Sequence, residues 1–238
     1  MFWFNIFCGW SGQKLYTEGA IQMFNLLFTS LPILFYGIYD RDIEIELIRK
    51  YPKMYADGVN NAYFNTKVFW SWILTALWQS IALCLIPFAF LVNAGSDGMS
   101  ESFWASGALS YTAVIIVVNF KLFSFQNLWN WTAYGVIAFS IGLWMIFAYW
   151  VNLDMNLSFQ TWYYVWNQIL EDATFWAGLV FLVVVFSMYE VLFHGFSRAF
   201  YFSNTHVLQE SRHALEVHTP KEEDTTQTAP LLEEEDLL

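Results

Sequence analysis

Polar side chains inside an apolar run are the first residues in this sequence able to do chemistry. Between Ala20 and Tyr39, Gln22, Asn25 and Thr29 stand at i, i+3 and i+7, a spacing that places two amides and a hydroxyl on one helical face. Pro32 falls on the same stripe, and its ring removes the backbone hydrogen bond that would reach the Phe28 carbonyl. The run holds roughly 20 residues, enough for a helix to cross a bilayer. Lipid would leave those polar groups unsatisfied, so the stripe must face protein or water. Two readings are open. One is a kinked packing helix with interhelical amide and hydroxyl contacts. The other is one wall of a polar pathway, with Gln22, Asn25, Thr29 and Pro32 as substrate-path candidates.

Elsewhere the sequence offers little chemistry. Glu190 is the one clear acid inside an apolar run, near its end, where a charge at the membrane interface is cheap; a structural role is expected. His194, His206, His213 and His218 lie at or beyond the last apolar run and form no pair across two runs, so no haem or metal site is predicted. Cys8 and Cys84 give no disulfide framework. Neither a Gly-x-x-x-x-Gly-Lys phosphate loop nor a nucleophile elbow occurs, and no catalytic residue is assigned. The sequons at Asn130 and Asn156 lie too near the membrane to carry weight. The end, Glu233-Glu-Glu-Asp-Leu237-Leu238, has the form of an acidic dileucine sorting signal, Glu233, Leu237 and Leu238 being its candidate residues; an acidic solvated end explains it equally well.

Composition names the class of element that positions these residues. Apolar residues are 57% of the chain and charged ones 13%, against about 25% charged in soluble domains, so this is an integral membrane protein. Of the net charge of −11, the segment after Phe202 holds nine acids against Arg212 and Lys221, or −7. The acidity therefore belongs to a tail, and no basic face for nucleic acid exists. An all-α polytopic bundle is predicted, with full spans at about 20–39, 68–92, 103–122, 132–151 and 173–196, preceded by a partial span at 1–8. Residues 1–19 read as the end of a truncated span plus a loop, 20–202 as the membrane domain, and 203–238 as a disordered acidic tail.

The stretch Ile43 to Lys50 reads as a short surface helix ended before Pro52. Ser71, Thr75 and Gln79 mark a polar face on the second span, and Ala138 and Gly142 a small-xxx-small pair on the fourth. Lysine and arginine set the orientation. Five fall in loop 40–67, Lys121 ends the third span, and three come after the last, whereas the opposite side holds Lys14 alone. Loop 40–67 and the C-terminus are thus expected in the cytosol, with 9–19, 93–102 and 152–172 exoplasmic.

The run Phe2-Trp3-Phe4, Gly9-Trp10-Ser11-Gly12-Gln13-Lys-Leu15-Tyr16, Phe24-Asn25-Leu-Leu-Phe28-Thr29-Ser30-Leu31-Pro32 and Gly37-Ile38-Tyr39-Asp40-Arg41-Asp42 resembles the phospholipid-translocating P-type ATPases, the type IV lipid flippases. The likeness continues through Tyr51-Pro52, Val68-Phe69-Trp70-Ser-Trp72, Trp78-Gln79-Ser80 and Val117-Val118-Asn119-Phe-Lys121, and covers about residues 2–210. It implies the C-terminal part of a membrane domain, the sixth to tenth spans, in an ATP-driven carrier of lipid from the exoplasmic to the cytosolic leaflet. It also implies Asn25, Thr29 and Gln22 along the headgroup path, Gly12 and Gln13 at the exoplasmic mouth, and an accessory subunit of the cell-division-control-50 type on exoplasmic loops and the last span. The remainder of the ATPase chain is an implied partner, and the resemblance points to plasma membrane, Golgi or endosomal membranes. ATP and magnesium belong to the full-length protein, because the Asp-Lys-Thr-Gly phosphorylation motif and the nucleotide-binding domain are absent here. Cys8 stands where the family commonly has Asn, and Ser187-Met-Tyr-Glu190 replaces a stretch that often holds proline. A non-catalytic membrane scaffold or trafficking protein built on the same bundle is the alternative.

Overall fold

The computed structural model describes residues 2–41, 49, 58–59, 61, 64–91, 103–127, 131–153, 162 and 165–200, apart from the side chains of Phe90 and Leu91. Among them every regular element is helical. In order they are α1 (Phe2–Phe7), α2 (Glu18–Met23), a π-helical segment (Phe24–Phe28), α3 (Ser30–Tyr39), α4 (Thr66–Leu91), α5 (Phe103–Phe125), α6 (Trp131–Leu153), α7 (Val165–Glu171) and α8 (Ala173–Phe200). Five stretches are long and apolar enough to cross a membrane: the composite Glu18–Tyr39, and α4, α5, α6 and α8. The helix expected near Ile43, the sequons and the tail with Glu233, Leu237 and Leu238 lie outside the described residues.

Local chemistry sets the ends of these helices. Gly9, at φ +60°, closes α1: the Trp10 amide donates to the Asn5 carbonyl (2.8 Å) and the Gly9 amide to Ile6 (3.3 Å), the paired bonds of a Schellman stop. Thr17 caps α2 by accepting from the Ala20 amide (3.3 Å). Asn65 accepts from the Val68 amide at the start of α4 (2.9 Å). Asp172 caps α8 twice, accepting from the Thr174 and Phe175 amides (both 3.0 Å), where its charge also meets the positive end of the helix dipole.

α5 is the central post. It packs against α3, α4, α6, α7 and α8, and Ala105 through Ala113 are buried without a break. An apolar helix buried all round is what a bundle interior demands. The other spans keep exposed apolar sides, such as Val180, Val184, Met188 and Val191 on α8. The small-xxx-small pair expected to bring helices together does not do so among the described residues: Ala138 is exposed and a Cβ at Gly142 would meet open space. The close approach falls on α5 instead. There a Cβ at Gly107 would run into the backbone carbonyl oxygen of the fully buried Leu15, in the connection between α1 and α2. Gly107→Ala is therefore expected to lower stability by about 1–3 kcal/mol, since backbone cannot yield as a side chain can. A denaturation curve in detergent micelles checks this, with Gly142→Ala as the neutral comparison.

Candidate functional site

Pro32 leaves the Phe28 carbonyl without its helical donor, as the sequence requires, and donors from two other helices take its place. The Ser140 hydroxyl of α6 donates to that oxygen, and the Asn119 amide of α5 reaches it at 3.4 Å while also donating to Ile115 (2.9 Å). Both side chains are buried. α4 repeats the device. Pro87 inside that helix frees the Leu83 carbonyl, and the Ser110 hydroxyl of α5 donates to it (2.8 Å). Ser110 in turn accepts from the Tyr16 hydroxyl (2.8 Å), because its single proton is committed to Leu83. Burial pushes the Tyr16 phenol above its ordinary pKa, while the bond to Ser110 pulls it the other way, so Tyr16 stays a neutral donor. The Tyr111 hydroxyl donates to the Ala20 carbonyl. Buried donors on neighbouring helices thus hold every carbonyl that a proline frees within a described span.

The predicted stripe is divided by the π segment. Each π turn closes its hydrogen bond one residue later than an α turn, so the downstream half of the span is rotated by about 100°. Gln22 and Asn25 remain exposed, with no side-chain hydrogen bond to the described residues. Thr29 is instead turned inward, buried, and donates its hydroxyl to the Phe24 carbonyl five residues back (2.9 Å). Pro32 is buried as well. The four candidates therefore form two sets: two exposed amides on one side, and a hydroxyl and a proline that shape the turn behind them. Gly12 (φ +78°) and Gln13 are exposed in the connection between α1 and α2.

Below the turn lies an aromatic block. Trp144 of α6 is completely buried and packs on Phe28 (5.3 Å between ring centroids), Tyr111 (4.6 Å), Trp162 (5.9 Å) and Trp166 (6.1 Å). Its indole donates to Thr112 (3.1 Å). Trp162 is buried, whereas Trp70, Trp72, Trp131 and Trp150 are exposed.

The second polar cluster was not legible as a cluster. Glu190 of α8, expected to have a structural role, is 2% exposed and held between helices. Lys121 of α5 sits 3.0 Å from its carboxylate, and Gln79 of α4 donates to it at 2.9 Å. The Lys121 ammonium also lies 4.7 Å from the centre of the Trp72 ring. His194 is 3.9 Å from the other carboxylate oxygen, too far for a hydrogen bond, and its ring stands edge-on to Phe125 (4.5 Å). Of the polar face expected on α4, Gln79 is buried, Thr75 half-buried and Ser71 exposed, because each four-residue step overshoots a full turn by about 40°. One signal pointed to the cluster: Lys121 and Glu190 are opposite charges placed by sequence at the same end of two apolar helices. Among the described residues no group of three metal-ligating side chains forms.

Five helical stretches long and apolar enough to cross a membrane, two of them holding a proline, define a polytopic helical membrane protein. The family model described as phospholipid-translocating P-type ATPase C-terminal matches residues 1–203, and the chain belongs to that family as the C-terminal transmembrane part of such an ATPase. It is similar to a phospholipid-transporting ATPase of Schizosaccharomyces pombe, with 30% identity over 215 residues and 88% of this chain. It is likewise similar to human phospholipid-transporting ATPase IH (30% over 195 residues, 80% of this chain) and Arabidopsis thaliana phospholipid-transporting ATPase 6 (26% over 223 residues, 90% of this chain). The chain spans 17% of the length of each of these relatives.

Proposed function

We propose that this chain forms one wall of the lipid route in an ATP-driven flippase that moves phospholipid from the exoplasmic to the cytosolic leaflet. One observation supports the reading: Gln22 and Asn25 are exposed on a stretch whose length and apolarity suit membrane depth, before and within its π turn, with no partner among the described residues. Exposed amides at that depth are tolerated where water, protein or a polar headgroup meets them. Gln22 and Asn25 line the headgroup path, Thr29 and Pro32 shape the turn behind it, and Gly12 and Gln13 border the exoplasmic mouth.

In this reading, phosphorylation by ATP with magnesium occurs in the remainder of the ATPase chain, and the resulting tilt of spans lets the amides exchange water for headgroup. An accessory subunit of the cell-division-control-50 type docks on the exoplasmic ends, the C-terminus is cytosolic, and the protein works at the plasma membrane, Golgi or endosomes.

Gln22→Ala with Asn25→Ala in the full-length transporter is expected to slow lipid translocation about fivefold or more, the loss of at least one net hydrogen bond. Uptake of fluorescent phospholipid at matched surface level measures it. Unchanged uptake would remove both amides from the route.

A further inference from the structure

Ser140 and Asn119 hold the Phe28 carbonyl at the last residue of the π segment, and Ser110 holds the matching carbonyl of α4. The two sites share their chemistry but not their consequence. α4 runs as unbroken α-helix through Pro87, so loss of Ser110 has no register to shift. The span at 18–39 carries an extra residue in its turn, and that extra residue decides which side chains face outward.

We propose that Ser140 and Asn119 are positioning residues for lipid transport: by holding the Phe28 carbonyl they maintain the π register that turns Asn25 outward and Thr29 inward. This rests on the reading that Asn25 borders the lipid route. A π turn survives where its displaced backbone groups find other partners, and returns to α-helix when they do not. Here Thr29 takes the Phe24 carbonyl from within the span, while Ser140 and Asn119 take the Phe28 carbonyl from outside it. The internal bond travels with the segment. The two external bonds tie it to α5 and α6, so they fix its register against the bundle. Return to α-helix would rotate one half of the span against the other by about 100°, carrying Asn25 off its face.

The experiment uses the full-length transporter in lipid vesicles, with its other reactive cysteines replaced. Asn25→Cys and Thr29→Cys proteins are labelled with a small polar maleimide, each alone and combined with Ser140→Ala, Asn119→Leu or Ser110→Ala. Transport kinetics are measured on the same three clamp variants with Asn25 and Thr29 intact. Asn25→Cys is expected to label faster than Thr29→Cys. Ser140→Ala and Asn119→Leu are each expected to reduce that ratio about fivefold, the factor matching one net hydrogen bond, and to raise the lipid KM more than they lower kcat. Ser110→Ala is expected to move neither ratio nor KM. If Asn119→Leu does not fold, the milder Ser140→Ala decides. An unchanged ratio in Ser140→Ala overturns the proposal, as does an equal change in Ser110→Ala, which would indicate general loosening. A changed ratio with unchanged lipid KM also overturns it. A parent protein that hydrolyses ATP yet moves no lipid overturns the transport reading instead, and the labelling ratio then still decides whether the clamp sets the register.

Discussion

Lys121→Met is expected to lower the unfolding free energy in detergent micelles by about 3–5 kcal/mol, because it leaves an uncompensated carboxylate in the bundle interior. The two partners are unequal. The Glu190 side chain is 3% exposed and that of Lys121 19%, so an orphaned lysine can extend its ammonium toward solvent while an orphaned Glu190 cannot. Glu190→Gln should therefore cost less than Lys121→Met, and it retains a partner for Gln79. Combining the two removes both charges and should recover most of the loss, since a buried pair gives little net stability over neutral neighbours. A double-mutant cycle read from denaturation midpoints tests this. Additive losses would mean that the pair is not coupled.

Trp144→Ala is expected to cost a similar amount, about 3–5 kcal/mol, through the cavity it opens. The ring is wholly buried between the π segment and Trp162 and Trp166, where Phe28 and Tyr111 pack on it from the kinked span and from α5. Thr112→Val separates packing from hydrogen bonding. It keeps the shape and leaves the Trp144 indole without its acceptor, an expected cost of about 1–3 kcal/mol. Thermal denaturation of both variants, with Trp144→Phe between them, orders the effects. A Trp144→Ala protein as stable as the parent would show that this block does not support the turn above it.

The length and apolarity of five runs, the partial helix ahead of them and the unpaired Phe28 carbonyl came from the amino-acid sequence by itself, because span length and the missing proline amide are covalent facts. So did the membership of the phospholipid-translocating P-type ATPases, whose family model matches residues 1–203. Tertiary structure decided which donors took the freed carbonyl. Ser140 and Asn119 lie more than 90 residues from Phe28, and only helix packing brings them within reach. It also decided the fate of the polar stripe. A regular helical period put Thr29 beside Asn25, but one extra residue in the turn swung Thr29 by about 100° relative to Asn25 and into the bundle, and nothing local to the sequence announces a π turn. The burial of Glu190 was decided in the same way: its exposure depends on where α5 and α4 place Lys121 and Gln79. Periodicity assigns side chains to the faces of a helix, whereas burial and partners are properties of the neighbours that cover those faces.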